Sequence, residues 1–379
     1  MPNLPIYKPP SNDARAGLFE LMTDLQTLGL RFPAQADLGV HRRAGAGPSD
    51  HKAVQLGAQT IMVPIHTQAA SRSPFEVRQL GGSGWMLYRG DSALMPIDFA
   101  RVPAFYRRST ADGVPYWKIA TLHGSDVLAT TVLQKCVRYG NRAKSCQFCA
   151  IGQSLAAGAT VAEKTPAQLA EVAKAAVELD GVQHAVLTTG TPPSDDRGAA
   201  VLARCSAAIR AATAMPIQAQ CEPPADFAWF GRLREAGVAS LGLHLEAVSD
   251  EVRRRIMPGK AEVPLEVYFA AFEAAVGVFG RGQVTTYILA GLGDSHAQIV
   301  AMCERVAALG VYPFVVPFVP IGGTPLADHP PPSAAAMSSL MRDVAGVLRR
   351  QALHSSEIQA GCGRCGACST LRSAEARHG

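Results

Sequence analysis

The sequence predicts an α/β protein: a partial (β/α)6 barrel of the TIM type, with a small β-rich domain before it and a cysteine-rich tail after it. Three observations predict this. From about residue 116, β-branched apolar segments alternate with helical ones, the pattern of a parallel sheet with helical crossovers. Six such repeats can be counted, too few for a closed eight-unit barrel. The first 115 residues lack this alternation and carry a hairpin signal instead. The expected domains are 1–115, 116–328 and 329–379.

In chain order, Leu18–Leu30 reads as a short amphipathic helix. The basic, glycine-bearing stretch from Arg42 to Lys52 reads as a loop able to hold an anionic group, or as a plain surface loop. Thr60–Ile65 reads as a strand, and Phe75–Leu80 and Trp85–Tyr88 flank Gly81-Gly82-Ser83-Gly84 as a hairpin. This first unit is expected to pack on the front of the barrel. Val127–Leu133 is the first barrel strand. Thr165 caps a helix whose Pro166 suits the first turn. The alternation then runs through strand His184–Thr189, helix Ala199–Ala212, strand Pro216–Gln220 and helix Ala225–Ala236, which Gly237 ends. Strand Ala239–Leu245 follows, then Asp250–Ile256 behind the cap Ser249, helix Leu265–Phe279 and strand Gln283–Ala290. Helix Ser295–Leu309 and strand Tyr312–Val319 complete the repeats. Asp328–Ser333 is a proline-rich linker, and Ala334–Leu353 a last helix before the tail.

The chain of 379 residues is 48% hydrophobic and 18% charged, enough apolar material for a sizeable core. A net charge of +5 permits an anionic substrate without requiring nucleic acid. The N-terminus lacks the layout of a signal peptide, and no apolar run reaches the roughly 18–20 residues that span a bilayer. Nine cysteines without a secretion signal point to a reducing compartment and metal use. The expected location is the cytoplasm, with no membrane partner.

The most informative feature is Cys136, Cys146 and Cys149, a C-x9-C-x2-C cluster expected at the mouth of the barrel after its first strand. Thiolates so spaced suit iron–sulfur or zinc. Zinc asks for a fourth protein ligand, and no nearby His or Cys supplies one, the closest histidine in sequence being His123. Three thiolates on a [4Fe–4S] cube leave one iron open. With Phe148 before the last cysteine, the segment resembles the cluster loop of radical S-adenosylmethionine (radical SAM) enzymes, whose usual spacing is C-x3-C-x2-C. The second gap fits; the long first gap resembles that of elongator-type RNA-modifying members.

Later strand ends extend the resemblance over about residues 127–327. Thr189-Gly190-Thr191 resembles the glycine-rich motif after the second strand, where backbone carbonyls and hydroxyls accept from the SAM ammonium. Glu246, followed by Arg253–Lys260, resembles the fourth-strand segment in which a carboxylate and a basic residue hold SAM. Arg254 is the preferred arginine among the three adjacent ones. Gly291 lies in a segment similar to the adenine-supporting fifth-strand motif, and Ile321 in one similar to the sixth-strand ending. The resemblance implies a [4Fe–4S] cluster and SAM as cofactors and an electron donor such as flavodoxin or ferredoxin. It implies reductive SAM cleavage to a 5′-deoxyadenosyl radical that abstracts hydrogen from a small-molecule substrate.

The tail carries Cys362, Cys365 and Cys368 in C-x2-C-x2-C spacing, which suits a second iron–sulfur cluster, with zinc as the alternative. Cys205, Cys221, Cys303 and His354 are candidate fourth ligands. The AGAGPSDHK loop and the CGRCGACS tail also resemble a radical SAM family associated with bacterial nitrilase gene clusters. Two rival readings stand beside this one. RNA modification is raised by the long cysteine gap, but basic clustering is weak and no RNA-binding module stands out. A nonreactive iron–sulfur carrier or maturation protein is the other.

Overall fold

The computed structural model describes residues 12–33, 51–80 and 84–376. Two sheets organise the chain. The first has five antiparallel strands: β1 (His51–Leu56), β2 (Gln59–Pro64), β3 (Phe75–Gln79), β4 (Trp85–Arg89) and β5 (Ser92–Phe99), in the order β2-β1-β5-β4-β3. Helix Asn12–Leu28 lies over it, burying Met22 and Leu25 against Val54, Val63 and Leu87. The expected hairpin is present as β3–β4. Most of the Arg42–Lys52 loop falls outside the described residues, and His51 and Lys52 instead open β1. β1 and β5 were not anticipated. β5 contains Pro96 and its outward positions are exposed, so it carries little apolar periodicity.

The second sheet has seven strands: β6 (Thr121–His123), β7 (Val127–Thr131), β8 (His184–Thr188), β9 (Ile217–Cys221), β10 (Val238–Leu243), β11 (Val284–Ala290) and β12 (Val311–Pro317). Their order is β12-β11-β10-β9-β8-β7-β6. β7 to β12 run parallel, giving the six repeats the sequence predicts. The short β6 adds an unanticipated antiparallel edge beside β7. β7, β9, β10 and β12 are buried at every position, polar residues such as Gln218 and Gln220 included, because helices cover the outer face while the inner face encloses a cavity.

Local signals set the helices. Thr165 and Gln168 form a reciprocal capping box at Pro166–Asp180, and Ser295 and Gln298 do the same at His296–Ala308. Ser249 and Ser333 cap Asp250–Ile256 and Ala334–Arg350. The third crossover helix is shorter than its composition predicts, Ala228–Glu235, because Ala225–Phe227 form a turn ahead of it.

The tail turns back beneath the barrel, at the starts of its strands. The Gly361 amide donates to His184 Nδ1 at 3.1 Å, the Cys362 amide to Gln218 Oε1 at 3.2 Å, and Ser369 Oγ to the Val315 carbonyl at 2.5 Å. The N-terminal sheet meets this floor rather than the front of the barrel. The Met62 amide and Gln26 Nε2 both donate to the Ala367 carbonyl, at 2.7 and 2.9 Å. Among the described residues, no helix is long and apolar enough to cross a membrane.

Candidate active site

A cavity of about 390 Å³ runs inside the half-barrel, and both cysteine triads contribute to its wall. Cys136, Cys146 and Cys149 line it from the loop that follows β7, at the strand-end side. Cys362 and Cys368 line it from the floor. Cys365 packs beside them against Val127, Ala129 and Val186.

The upper loop is stapled to three neighbours. The Val137 amide donates to the Thr191 carbonyl at 2.9 Å, joining the loop to the end of β8. Gln147 donates through its amide to the Ile256 carbonyl (2.8 Å) and through Nε2 to the Arg255 carbonyl (2.6 Å). The Leu326 amide closes the third side on the Gln147 carbonyl at 3.3 Å. Gly190 explains why the β8 end is bare: a Cβ there would lie 2.1 Å from the Lys135 carbonyl oxygen, so only glycine lets the two loops pass. Burial pushes the Cys149 thiol up to about 12 and the Cys146 thiol well above its ordinary range. Without metal these sulfurs hold their protons, and loading a metal displaces them.

Most of the expected SAM contacts converge on this cavity. Phe148, Thr189, Gly190, Thr191, Glu246 and Ile321 all line it. Phe148 also packs with Met257, Leu292 and Phe318. Glu246 has a left-handed backbone, φ 64°, yet keeps its ladder bonds to β11: its amide donates to the Tyr287 carbonyl and its carbonyl accepts from the Leu289 amide, each at 2.8 Å. This backbone, which a non-glycine residue seldom adopts, turns the Glu246 side chain into the cavity.

Two expected residues lie elsewhere. Gly291 is outside the cavity wall, and its carbonyl accepts from His329 Nε2 at 2.8 Å. Arg254 is exposed, one of three adjacent arginines none of which lines the cavity. Arg253 is buried on the outside of the barrel, over the Tyr268 ring and donating to the Val263 carbonyl, and Arg255 donates to the Leu292 carbonyl. The cation inside the cavity is Lys260, whose Nζ donates to Glu246 Oε2 at 2.7 Å. Burial alone would lower its pKa; the Glu246 carboxylate outweighs this and holds the ammonium above its ordinary range.

Further wall residues escaped the sequence reading because strand register, not local pattern, brings them in. Glu222, just past β9, accepts from Thr191 Oγ1 at 2.7 Å and from Arg138 of the cysteine loop, with Arg197 at 3.5 Å. His244 accepts the Tyr287 amide on Nδ1 at 3.1 Å, which places its proton on Nε2, a buried donor without a protein partner. Burial, with Lys260 nearby, lowers the His244 pKa to about 3, so the ring is neutral.

At the floor, Gln220 Nε2 donates to Cys362 Sγ at 3.3 Å, the Tyr287 hydroxyl hydrogen-bonds Cys368, and His123 Nε2 lies 3.2 Å from Cys368 Sγ. The expected fourth ligands lie elsewhere. Cys205 and Cys303 are buried in the barrel's outer core, His354 is exposed, and Cys221 lines the cavity from the end of β9. Among the described residues no three His, Cys, Asp or Glu side chains are drawn together as a site for one metal ion. None of the six triad cysteines is in a disulfide, five of them line the cavity, and thiols are the donors an iron–sulfur cluster takes.

Residues 138–306 match the radical SAM superfamily. The chain is 36% identical over 120 residues to bacteriochlorophyllide c C-7(1)-hydroxylase of Chlorobaculum limnaeum, covering 31% of this chain and 30% of that protein. It is 24% identical over 132 residues to the probable dual-specificity RNA methyltransferase RlmN of Moorella thermoacetica, covering 35% and 37%. These matches span about a third of each curated relative. The crystal structure of methylornithine synthase (PylB) superposes with a TM-score of 0.48 at 17% identity, over 64% of this chain and 67% of that one.

Proposed function

Starting from a chain that belongs to the radical SAM superfamily, we propose that it is an enzyme that cleaves SAM reductively and directs the 5′-deoxyadenosyl radical onto a small-molecule substrate. The observation that carries this reading is the convergence of Cys136, Cys146 and Cys149 with Thr189–Thr191, Glu246 and Ile321 on one cavity. When bound, a [4Fe–4S] cluster on those three thiolates supplies the electron and an open iron for SAM. The chain's own residues bind and orient. The Glu246 carboxylate and the backbone carbonyls around Gly190 accept from cationic or hydroxyl groups of SAM. Lys260 presents an ammonium for a carboxylate, and the His244 Nε2–H a neutral donor. The walls of Val186, Leu289, Val316 and Phe318 exclude water from the reacting centre. A cavity of about 390 Å³ lies in the range of small-molecule pockets, about 300–1,000 Å³.

The floor triad Cys362, Cys365 and Cys368 holds a second iron–sulfur cluster in this reading, with zinc as the alternative. Nine unpaired cysteines suit the reducing cytoplasm, where a flavodoxin or ferredoxin supplies electrons. A second reading, RNA modification, is supported by the likeness to an RNA methyltransferase. Against it stands the weak clustering of basic residues in the sequence.

Anaerobic reconstitution followed by dithionite reduction tests the proposal. The expected result is an EPR signal that SAM perturbs, with 5′-deoxyadenosine released. Loss of both in Cys→Ala variants at positions 136, 146 and 149 supports the assignment. Retention of the signal in Cys136→Ala overturns the long-gap ligand set. Turnover that requires added tRNA or rRNA in place of cell metabolites would favour the second reading.

A further inference from the structure

We propose that His123 is the fourth protein ligand of the floor cluster, so that this centre is closed by three thiolates and one imidazole. The inference rests on the reading of Cys362, Cys365 and Cys368 as cluster ligands and adds to it the residue that completes the set.

Three thiolates leave one corner of a cube without a protein ligand. The lower part of the cavity offers few donors for it: Gln26, Gln220, Tyr287, His51 and His123. Of these side chains, imidazole is the good ligand for iron. His123 Nε2 already lies 3.2 Å from Cys368 Sγ. The ring is placed there by the backbone. β6 ends at His123, and Gly124 turns the chain into β7 with φ 61°. A Cβ on Gly124 would come within 3.1 Å of Cys365 Sγ and 3.4 Å of the Ala367 side chain. The His123-Gly124 turn is therefore pressed against two of the three thiols, and glycine is what allows the approach. This also accounts for β6 itself, a three-residue antiparallel edge on an otherwise parallel sheet, whose last residue faces the floor site.

Of the two imidazoles at the floor, His123 is the one in contact with a tail thiol. Gln220 Nε2, which donates to Cys362 and Gln218, is an amide nitrogen with no lone pair to offer a metal, and the Tyr287 hydroxyl, beside Cys368, matches iron less well than an imidazole does. His244 belongs to the upper part of the cavity, with Nδ1 engaged. His51 enters from the N-terminal sheet with both ring nitrogens buried and without a protein partner. It is the second imidazole at the floor and the internal control for the assignment. A centre closed by four protein ligands offers substrate no free iron, which leaves direct metal binding to the upper cluster.

The test uses the full chain with Cys136, Cys146 and Cys149 all changed to Ala, so that the floor site alone can hold iron. The protein is labelled with 15N in its histidine rings, reconstituted anaerobically with iron and sulfide, reduced, and examined by pulsed EPR without SAM. The expected result is about four irons per chain and the nitrogen hyperfine coupling of a directly bound imidazole. His123→Ala should lose that coupling. His123→Cys should lose it while keeping the iron, which separates loss of the ligand from loss of the fold. His51→Ala should retain it. Full iron without nitrogen coupling overturns the inference and leaves the three-thiolate cluster standing. Coupling that survives His123→Ala and vanishes in His51→Ala also overturns it. Failure of the floor to retain any iron, or its loading with zinc alone, overturns the cluster reading and the inference together.

Discussion

Lys260 Nζ and Glu246 Oε2 are paired at 2.7 Å inside the cavity, joining the turn after Asp250–Ile256 to the end of β10. Both side chains are largely shielded, at 9% and 18% exposure, so the pair is one in which either partner is costly to lose alone. Lys260→Met should destabilise the chain toward the lower end of about 3–5 kcal/mol. The double variant Lys260→Met/Glu246→Gln should recover much of it. Denaturant unfolding of the four proteins of this cycle gives the coupling, and additive losses would show that the pair does not act as a unit.

Glu246→Gln keeps shape and removes charge. SAM affinity should fall by about 1–3 kcal/mol, the range for losing a charged hydrogen-bond partner. Titration calorimetry on the reconstituted protein measures this, and unchanged affinity would remove Glu246 from the SAM site.

Glu222 holds the cysteine loop through Arg138 while also accepting from Thr191. Glu222→Gln should leave the barrel folded but loosen the loop. We expect faster loss of iron from the upper site under chelator challenge, with circular dichroism unchanged. Iron release at the parent rate would show that Arg138 is not what positions the loop.

His184 ties the floor to β8 by accepting the Gly361 amide, which requires a neutral ring. Burial lowers its pKa from 6.5 to about 3. Below about pH 6.5 the unfolded chain takes up this proton and the folded chain does not, so folding loses stability as the pH falls toward 3. The contribution is complete above pH 6.5. Its slope is at most about 1.4 kcal/mol per pH unit. His184→Gln should flatten the pH dependence of unfolding between pH about 7 and about 5. An identical slope in parent and variant would contradict the assignment.

The floor cysteines should add about four irons to the four of the upper site. Deleting the tail is a poor test, because Leu371 and Ala374 are buried in the barrel core and Glu375 accepts from Tyr312. Changing Cys362, Cys365 and Cys368 together to Ser should halve the iron and preserve SAM binding. About four irons accompanied by one tightly held zinc would replace the second cluster by a zinc site.

The barrel was legible in the sequence because its signals are local. Thr165, Ser249 and Ser295 mark helix starts by their own chemistry, and the parallel strands are short, mostly buried segments rich in β-branched and apolar residues. The strands that were missed, β1, β5 and β6, are polar, interrupted by proline, or three residues long. The same division holds at the site. The C-x9-C-x2-C loop and the strand-end motif at Thr189–Thr191 are continuous in sequence and could be read directly. Among the basic residues after Asp250, the sequence favours Arg254, but a helical face decides, and it turns Arg254 to solvent while Lys260 on the following turn faces inward. Glu222, His244 and His123 carry no motif; only the register of the strands brings them to one cavity.

The floor has a consequence for the order of assembly. In chain order the upper cysteines come before five of the six parallel strands, and the floor cysteines come after all of them. During synthesis a ribosome delivers the roof's thiols early and the floor's thiols only once the strands are made. The upper thiols are thus in place while the barrel is still open from below. The floor's thiols arrive in the same segment that shuts the cavity from below, so that closure waits for the last residues to be made.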